Sequence, residues 1–516
     1  MELTGFAQIH AIGAPVSLFA GAGLVLLVQI ASPLWAPRLG GEGAPARSPS
    51  FALALLALAA AGAWSLWHEA TGSSGSVLSG AVVVDRFAVF FALLITASAA
   101  AVCVMAREWT RGLGEELQAD FYALLLASAG AMVLLAQAND LIAIFVVLET
   151  TSIAQFVLVG FGGGGRSAEA GLKYVLSGAV AAAVLLYGFV FLFGAAGTTS
   201  LPGIAVVASA DDGGLRLPLL LGLGLVLVGL GFKMALVPSH GWVPDVYQGA
   251  PAPVAAFLSV ASKAAGFAVA LRILYVGLGG GASSIADEIA LTVGVVAAVS
   301  MTAGNLGAFW QQDARRLLGY SSVAQAGNIA IGVAAVVAGS SVGPSAVLFF
   351  LATYAATNLG LFFVVVAVGQ RTGSYELSQY QGLARRSPLL AAVAGICLLS
   401  LTGLPPTAGF LAKIYVFNAA VQGGEQWLVG LVAVGVLNTA VSAFYYLRWA
   451  RLLVKEEPAA APGDGRPARA AAASLLPETP AQLLLLATAA AVLVLGVVPT
   501  PLISAARRAA EVLVAP

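Results

Sequence analysis

Apolar stretches of about 20 residues recur along almost the whole of this 516-residue sequence. A helix of that length crosses about 30 Å of hydrocarbon. Inside hydrocarbon only a helix or a closed barrel satisfies every backbone amide. Fourteen stretches can be marked off, at about 13–34, 50–67, 87–106, 120–137, 141–161, 168–193, 217–237, 252–276, 288–308, 317–338, 343–369, 388–420, 426–449 and 482–499; the twelfth is interrupted. The expected fold class is all-α integral membrane, with about 14 transmembrane helices. Only 9% of the residues are charged, against roughly 25% in a soluble domain, which is too few for a water-facing surface. No stretch suggests a soluble catalytic domain or a nucleic-acid-binding surface, so the lipid bilayer is the first partner expected. Glu2 precedes the first stretch with no basic residue beside it, so that stretch is expected to stay in the chain rather than be cleaved as a signal.

The basic residues suggest an orientation. With the N-terminus on the non-cytoplasmic side, fifteen of them, including Arg38, Arg107, Arg166, Arg315, Arg316, Arg371 and Arg448, fall in cytoplasmic loops. The other side receives only Arg86, Arg216, Arg272, Arg507 and Arg508. Cytoplasmic loops are the ones enriched in Lys and Arg, and one missed helix would scramble the bias. Two polar stretches rich in Pro, Gly or charge, at about 36–49 and 452–480, read as cytoplasmic linkers.

The spans divide into an N-terminal three-helix region (1–119), two five-helix blocks (120–276 and 288–449), and a cytoplasmic loop with a C-terminal helix (450–516). An odd number of helices per block makes the second enter the membrane from the opposite side, which gives two inverted repeats. The fourth helix of each block is interrupted. Segment seven runs into Val237-Pro238-Ser239-His240-Gly241, and segment twelve contains Gly403-Leu404-Pro405-Pro406-Thr407-Ala408-Gly409. Proline removes an amide donor and clashes with the preceding turn, so helices 7 and 12 are expected to be broken. The freed backbone groups then need protein or water partners, which points to an internal polar cavity.

Lysine is scarce, with five residues in all, and four of them (Lys173, Lys233, Lys263 and Lys413) fall within predicted spans. A charge near the bilayer centre costs about 2.5–3.5 kcal/mol on insertion scales. Burial can make a lysine release its proton, whereas guanidinium stays charged. Four such residues therefore read as a proton relay. Glu149, midway along segment five, is the acid expected to work with them, with Lys173 and Lys233 as candidate partners. His240, beside the break in segment seven, could shuttle protons near neutral pH. The second block has no matching carboxylate; Ser321, Ser322, Gln325, Asn328, Tyr354, Thr357 and Asn358 supply polarity there. Cys103 and Cys397 are isolated, and His10, His68 and His240 are the only histidines, so no metal, haem or iron–sulfur site is expected.

These residues sit in recognisable stretches. Val237-Pro238-Ser239-His240-Gly241-Trp242-Val243-Pro244-Asp245-Val246-Tyr247-Gln248-Gly249-Ala250-Pro251-Ala252-Pro253 leads to Ser262-Lys263; Ala138-Asn139-Asp140-Leu141 leads to Glu149. With Arg316-Leu317-Leu318-Gly319-Tyr320-Ser321-Ser322 and Gly403-Leu404-Pro405-Pro406, the chain from about 120 to 450 resembles the antiporter-like subunits of proton-pumping NADH:quinone oxidoreductase, respiratory complex I. Lys413 and the Pro-Asp-Val-Tyr-x-Gly-Ala-Pro form at 244–251 place the resemblance nearest the subunit N branch, in which Glu is usual where Gln248 stands. The resemblance implies a fourteen-helix fold in a bacterial plasma membrane, with Glu149, Lys233, Lys263 and Lys413 on the proton path and Lys173 and His240 assisting. It also implies other membrane-arm subunits as partners. NADH, FMN, iron–sulfur clusters and quinone would belong to those subunits, with no redox active site and no cofactor here. The related sodium/proton antiporter subunits share these features, and a sodium/proton antiporter of a cation antiporter complex is the alternative.

Overall fold

The structure, a computed structural model, describes residues 11–39, 49–72, 74–210, 214–279, 283–455 and 477–514. Most of the loops expected at 36–49 and 452–480 lies outside the described residues, as does His10. In chain order the helices are α1 (Gly13–Leu39), α2 (Ser50–Thr71), α3 (Arg86–Thr110), α4 (Glu115–Gln137), α5 (Leu141–Gly160), α6 (Gly164–Ala196), α7 (Leu201–Ser209), α8 (Arg216–Met234) and α9 (Trp242–Gly249). They continue as α10 (Ala252–Val276), α11 (Ala286–Phe309), α12 (Ala314–Val337), α13 (Gly343–Thr372), α14 (Pro388–Thr402), α15 (Ala408–Gln422), α16 (Gln426–Val454), α17 (Thr479–Val497) and α18 (Thr500–Val514).

Thirteen helices among the described residues are long and apolar enough to cross a membrane. The fourteenth crossing is made by α14 and α15, two halves of 15 residues each that flank the Gly403–Thr407 break. Helix 7 is likewise split into α8 and the short α9. The interruption expected in the twelfth span is a left-handed Gly403 (φ 88°) followed by a turn. Among the described residues the one sheet is a small antiparallel hairpin, β1 (Gly75–Val77) and β2 (Val82–Val84), between α2 and α3. Its strands, Gly-Ser-Val and Val-Val-Val, are too brief to stand out beside the helical spans.

The inverted repeats are α4, α5, α6, α8 with α9, and α10, then α11, α12, α13, α14 with α15, and α16. Lipid does not drive helices together, so close approach depends on small residues. Along α11 and α12 this is carried by Gly304 and Gly327. A Cβ on Gly304 would lie 2.8 Å from the Tyr320 carbonyl oxygen, and one on Gly327 would lie 2.7 Å from that of Ala297. Gly304→Leu is therefore expected to force the two helices apart at a cost of about 1–3 kcal/mol. A lowered unfolding temperature of the solubilised protein would report it; an unchanged one would mean that α11 can shift freely.

Arg272, counted above among the charges of the non-cytoplasmic side, is buried in the protein. It lies 2% exposed in α10, its guanidinium donating to both Asp85 carboxylate oxygens at 2.9 Å and to the Ala136 carbonyl at 2.8 Å. Asp85 also caps α3, accepting from the Ala88 N–H at 2.7 Å. A single buried ion pair thus ties the N-terminal helices to the end of the first repeat.

Candidate functional site

The breaks in helices 7 and 12 expose backbone oxygen to the bundle interior. Ala235 ends α8 in the left-handed conformation (φ 64°), its N–H turned back to Gly231 and Phe232. The Trp242 indole N–H then donates to the Phe232 carbonyl at 3.2 Å. In helix 12 the carbonyls of Leu401 and Thr402, freed by the turn at Gly403, accept from the Lys413 amine at 3.3 and 3.0 Å. A Cβ at Gly403 would approach the Lys413 Nζ to 3.4 Å, so glycine supplies both the left-handed turn and the space for the amine.

Three of the four membrane lysines are buried in the protein: Lys233 is 3%, Lys263 1% and Lys413 5% exposed. Lys233, in the last turn of α8, donates to the Gln155 Oε1 at 2.8 Å and the Ser152 hydroxyl at 3.2 Å. The same Gln155 oxygen accepts from the Tyr174 hydroxyl and the Ser262 hydroxyl, each at 3.1 Å. Ser262 ends a π-helical turn, Leu258–Ser262, and Lys263 follows it directly. Such turns are frequent at functional sites. The Lys263 amine donates to both the carbonyl and the hydroxyl of Ser322, the latter at 2.6 Å. Tyr354 and Tyr247 also reach the Ser322 hydroxyl, at 3.2 and 3.3 Å.

From there the chain continues through the second repeat. Ser321 pairs with the Tyr446 hydroxyl at 2.5 Å, and Gln325 links Tyr446 to the Leu401 carbonyl that Lys413 also uses. Beside Lys413, a cavity of about 10 Å³ lined by Gln325, Tyr354, Thr357 and Ser400 is about the size of one water. Hydroxyls both donate and accept, as a proton relay requires. The ammonium groups meet neutral oxygens, so no carboxylate locks their protons in place.

The other candidates are placed differently. Glu149 is half-buried on α5 and makes no hydrogen bond or ion pair among the described residues; the Lys233 charge is the one that acts on it. Lys173 is not a partner of Glu149. It is 46% exposed at one end of the bundle, where its amine lies 2.8 Å from both Glu169 and Asp245. The reason is its position: it stands in the third turn of α6, close to the helix start at Gly164. His240 sits in the break between α8 and α9, its Nδ1 buried without a hydrogen-bond partner, and no hydrogen bond joins it to a lysine. Gln155 is the functional residue that reading the sequence missed. Its signal was modest: it is the single amide in an apolar segment that also carries Glu149. No group of three or more His, Cys, Asp or Glu able to hold a metal occurs among the described residues.

Inverted five-helix repeats, two broken helices and a buried chain of amines define an ion-path membrane protein built on the antiporter scaffold. The family described as NADH:quinone oxidoreductase/Mrp antiporter, TM, matches residues 138–439, and the chain belongs to it. NADH-quinone oxidoreductase subunit N of Desulfitobacterium hafniense is 37% identical over 486 residues, covering 91% of this chain and 93% of the relative. NAD(P)H-quinone oxidoreductase subunit 2 of Thermosynechococcus vestitus is 40% identical over 436 residues, covering 84% of this chain and 81% of the relative. Among solved structures, a chain of respiratory complex I from Thermus thermophilus superposes with a TM-score of 0.72 at 31% identity, covering 94% of this chain and 98% of that one. A chain of the Mrp complex from Dietzia sp. DQ12-45-1b shares the fold, with a TM-score of 0.80 at 23% identity and coverage of 99% and 98%.

Proposed function

We propose that this chain is the proton-translocating membrane subunit of an NADH:quinone oxidoreductase, in which electron transfer in partner subunits drives protons through the amine chain described above. The carrying observation is the run of hydrogen bonds and chain neighbours from Lys233 through Gln155, Ser262, Lys263, Ser322, Ser321, Tyr446, Gln325 and the Leu401 carbonyl to Lys413, buried inside an apolar bundle. Buried ionisable side chains of this kind mark ion pathways and proton relays. Glu149, half-buried and within the field of Lys233, is the group through which a charge change outside the chain would reach the first amine. Lys233 then passes its proton toward Lys263 and Lys413 by way of hydroxyls and water, each step driven by the charge left on its neighbour.

The bundle end carrying Arg166, Lys173 and Arg316 faces the cytoplasm in this reading, and the N-terminus lies on the opposite side. NADH, FMN, iron–sulfur clusters and quinone are assigned to partner subunits. Sodium/proton exchange would use the same scaffold, since the Mrp chain shares it; the 37–40% identity to subunits named for quinone oxidoreductases favours the redox-driven reading. Lys233→Ala tests it: protons pumped per NADH in membrane vesicles are expected to fall while the complex stays assembled. Unchanged pumping would remove the role given to the amine chain.

A further inference from the structure

A vestibule of about 320 Å³ opens where the first turns of α6, the Asp245–Gly249 part of α9 and the start of α12 meet, and the relay described above does not use it. Its lining is charged: Arg166, Glu169 and Lys173 from α6, Asp245 from α9 and Arg316 from α12. Asp245 stands at the centre. Its Oδ2 accepts from Lys173 at 2.8 Å and its Oδ1 accepts from Arg316, so one carboxylate bonds a cation from each repeat. Lys173 has a second anion within reach, Glu169, also at 2.8 Å. Arg316 has a second acceptor in the Gln248 side chain at 3.2 Å, and Gln248 in turn reaches Asp313, which caps α12 and pairs with Arg315. Of the elements packed on α9, α10 presents no titratable side chain to the vestibule among the described residues.

The side chains around Asp245 are 29–46% exposed apart from the more exposed Glu169, and ion pairs so open to water hold weakly and exchange partners. What they restrain, however, is buried. Trp242, one turn before Asp245 on α9, packs tilted against Tyr174 and Phe232 at ring separations of 4.6 and 5.1 Å. Tyr174, next in the chain to Lys173, donates in turn to Gln155, so these rings join α9 to the acceptor of Lys233. Two residues beyond Asp245, Tyr247 reaches the Ser322 hydroxyl that accepts from Lys263. The eight-residue α9 therefore carries Asp245 and Gln248 at the vestibule, Trp242 in the aromatic cluster that serves as a plug, and Tyr247 at the second amine.

We propose that Asp245 is a proton-operated latch at the cytoplasmic intake of the relay. With Asp245 ionised, its bonds to Lys173 and Arg316 pin α9 between the repeats and keep the Trp242 plug shut. A proton from bulk water forms an O–H bond on the Asp245 carboxylate, which cancels its charge and releases both cations. Water then enters past Trp242 and carries a bulk proton to the Lys233 amine once that amine has passed its own proton on; Asp245 afterwards gives its proton back to bulk water, and the restored carboxylate closes the latch. Asp245 is a positioning residue in this scheme, and the scheme rests on the proton-pumping reading and its orientation.

The test uses the whole complex in inverted membrane vesicles, with NADH-driven proton uptake followed across external pH. In the native chain an essential protonation limits the rate, by up to about tenfold per pH unit on the alkaline limb. Asp245→Asn, neutral at every pH, is expected to lose that alkaline limb, while Asp245→Glu keeps it. A wild-type limb in Asp245→Asn, or loss of the limb in both variants, would overturn the latch. Should Asp245→Asn fail to assemble, Lys173→Gln serves instead: removing one of the two cations should move the limb to higher pH, and an unmoved limb would count against the proposal. Lys233→Ala in the same vesicles separates the two ideas. Pumping that survives it defeats the pumping reading itself, whereas pumping lost there with Asp245 variants indistinguishable from the native chain defeats the latch alone.

Discussion

Replacing Gln155 with leucine is expected to slow proton pumping about a hundredfold while leaving the helices in place. One oxygen of Gln155 accepts from the Lys233 amine, the Tyr174 hydroxyl and the Ser262 hydroxyl. A hydrogen bond to a charged group contributes about 1.5–3 kcal/mol, and a buried donor left unmet costs about 1–3 kcal/mol. After the substitution Lys233 retains only the Ser152 hydroxyl, at 3.2 Å. A loss near 3 kcal/mol in any state where Lys233 holds its proton corresponds to about two factors of ten in rate. Leucine is close in volume and suits the apolar wall, so assembly on native gels should stay near normal. Gln155→Glu probes the same oxygen from the other direction: it keeps an acceptor in place but adds a carboxylate that can hold the Lys233 proton as an ion pair. Both variants should pump poorly, for opposite reasons. Normal pumping rates in Gln155→Leu would show that the amide is only a packing group.

The second large effect concerns stability. Asp85→Ala would strand the Arg272 guanidinium, 2% exposed, with the Ala136 carbonyl as its remaining acceptor. Removing one partner of a buried ion pair costs about 3–5 kcal/mol, because the other charge stays out of water uncompensated. The α3 cap is lost in the same step, at about 0.5–2 kcal/mol. The solubilised complex should unfold at a markedly lower temperature, or little of it should accumulate. Asp85→Asn separates the contributions, since asparagine caps a helix about as well as aspartate but carries no charge. Asp85→Ala combined with Arg272→Met should recover much of the loss, because replacing both partners by apolar groups is often neutral. A double variant no more stable than Asp85→Ala would mean that the damage lies in the cap and not in the stranded charge.

Reading the chain residue by residue reached some parts of the site and not others. Lys233, Lys263 and Lys413 were legible because lysine is scarce here and a charge inside an apolar span is costly enough to need a reason. Their partners were not. Gln155, Ser262, Ser322 and Tyr446 are neutral, and neutral polar residues in membrane helices usually serve only to join helices. The Leu401 and Thr402 carbonyls that hold Lys413 have no signature at all, since every residue carries the same backbone oxygen. Arg272 misled in the other direction: counted among the charges of the non-cytoplasmic side, it is buried against Asp85, 187 positions away in the chain.

By itself the sequence determined the membrane class, the number of crossings, the two broken helices and the scarce buried amines. Each of these is local: a span follows from about 20 consecutive apolar residues and a break from proline and glycine where a helix should run on. Only the tertiary structure decided which oxygen each amine meets, that Lys173 belongs to a vestibule with Asp245 and not to Glu149, and that one carboxylate bonds cations of both repeats. Those pairings join residues on different helices, as far apart in the chain as Lys233 and Gln155. Their geometry depends on how closely the helices pack, which glycine and backbone contacts set and no run of neighbouring residues encodes.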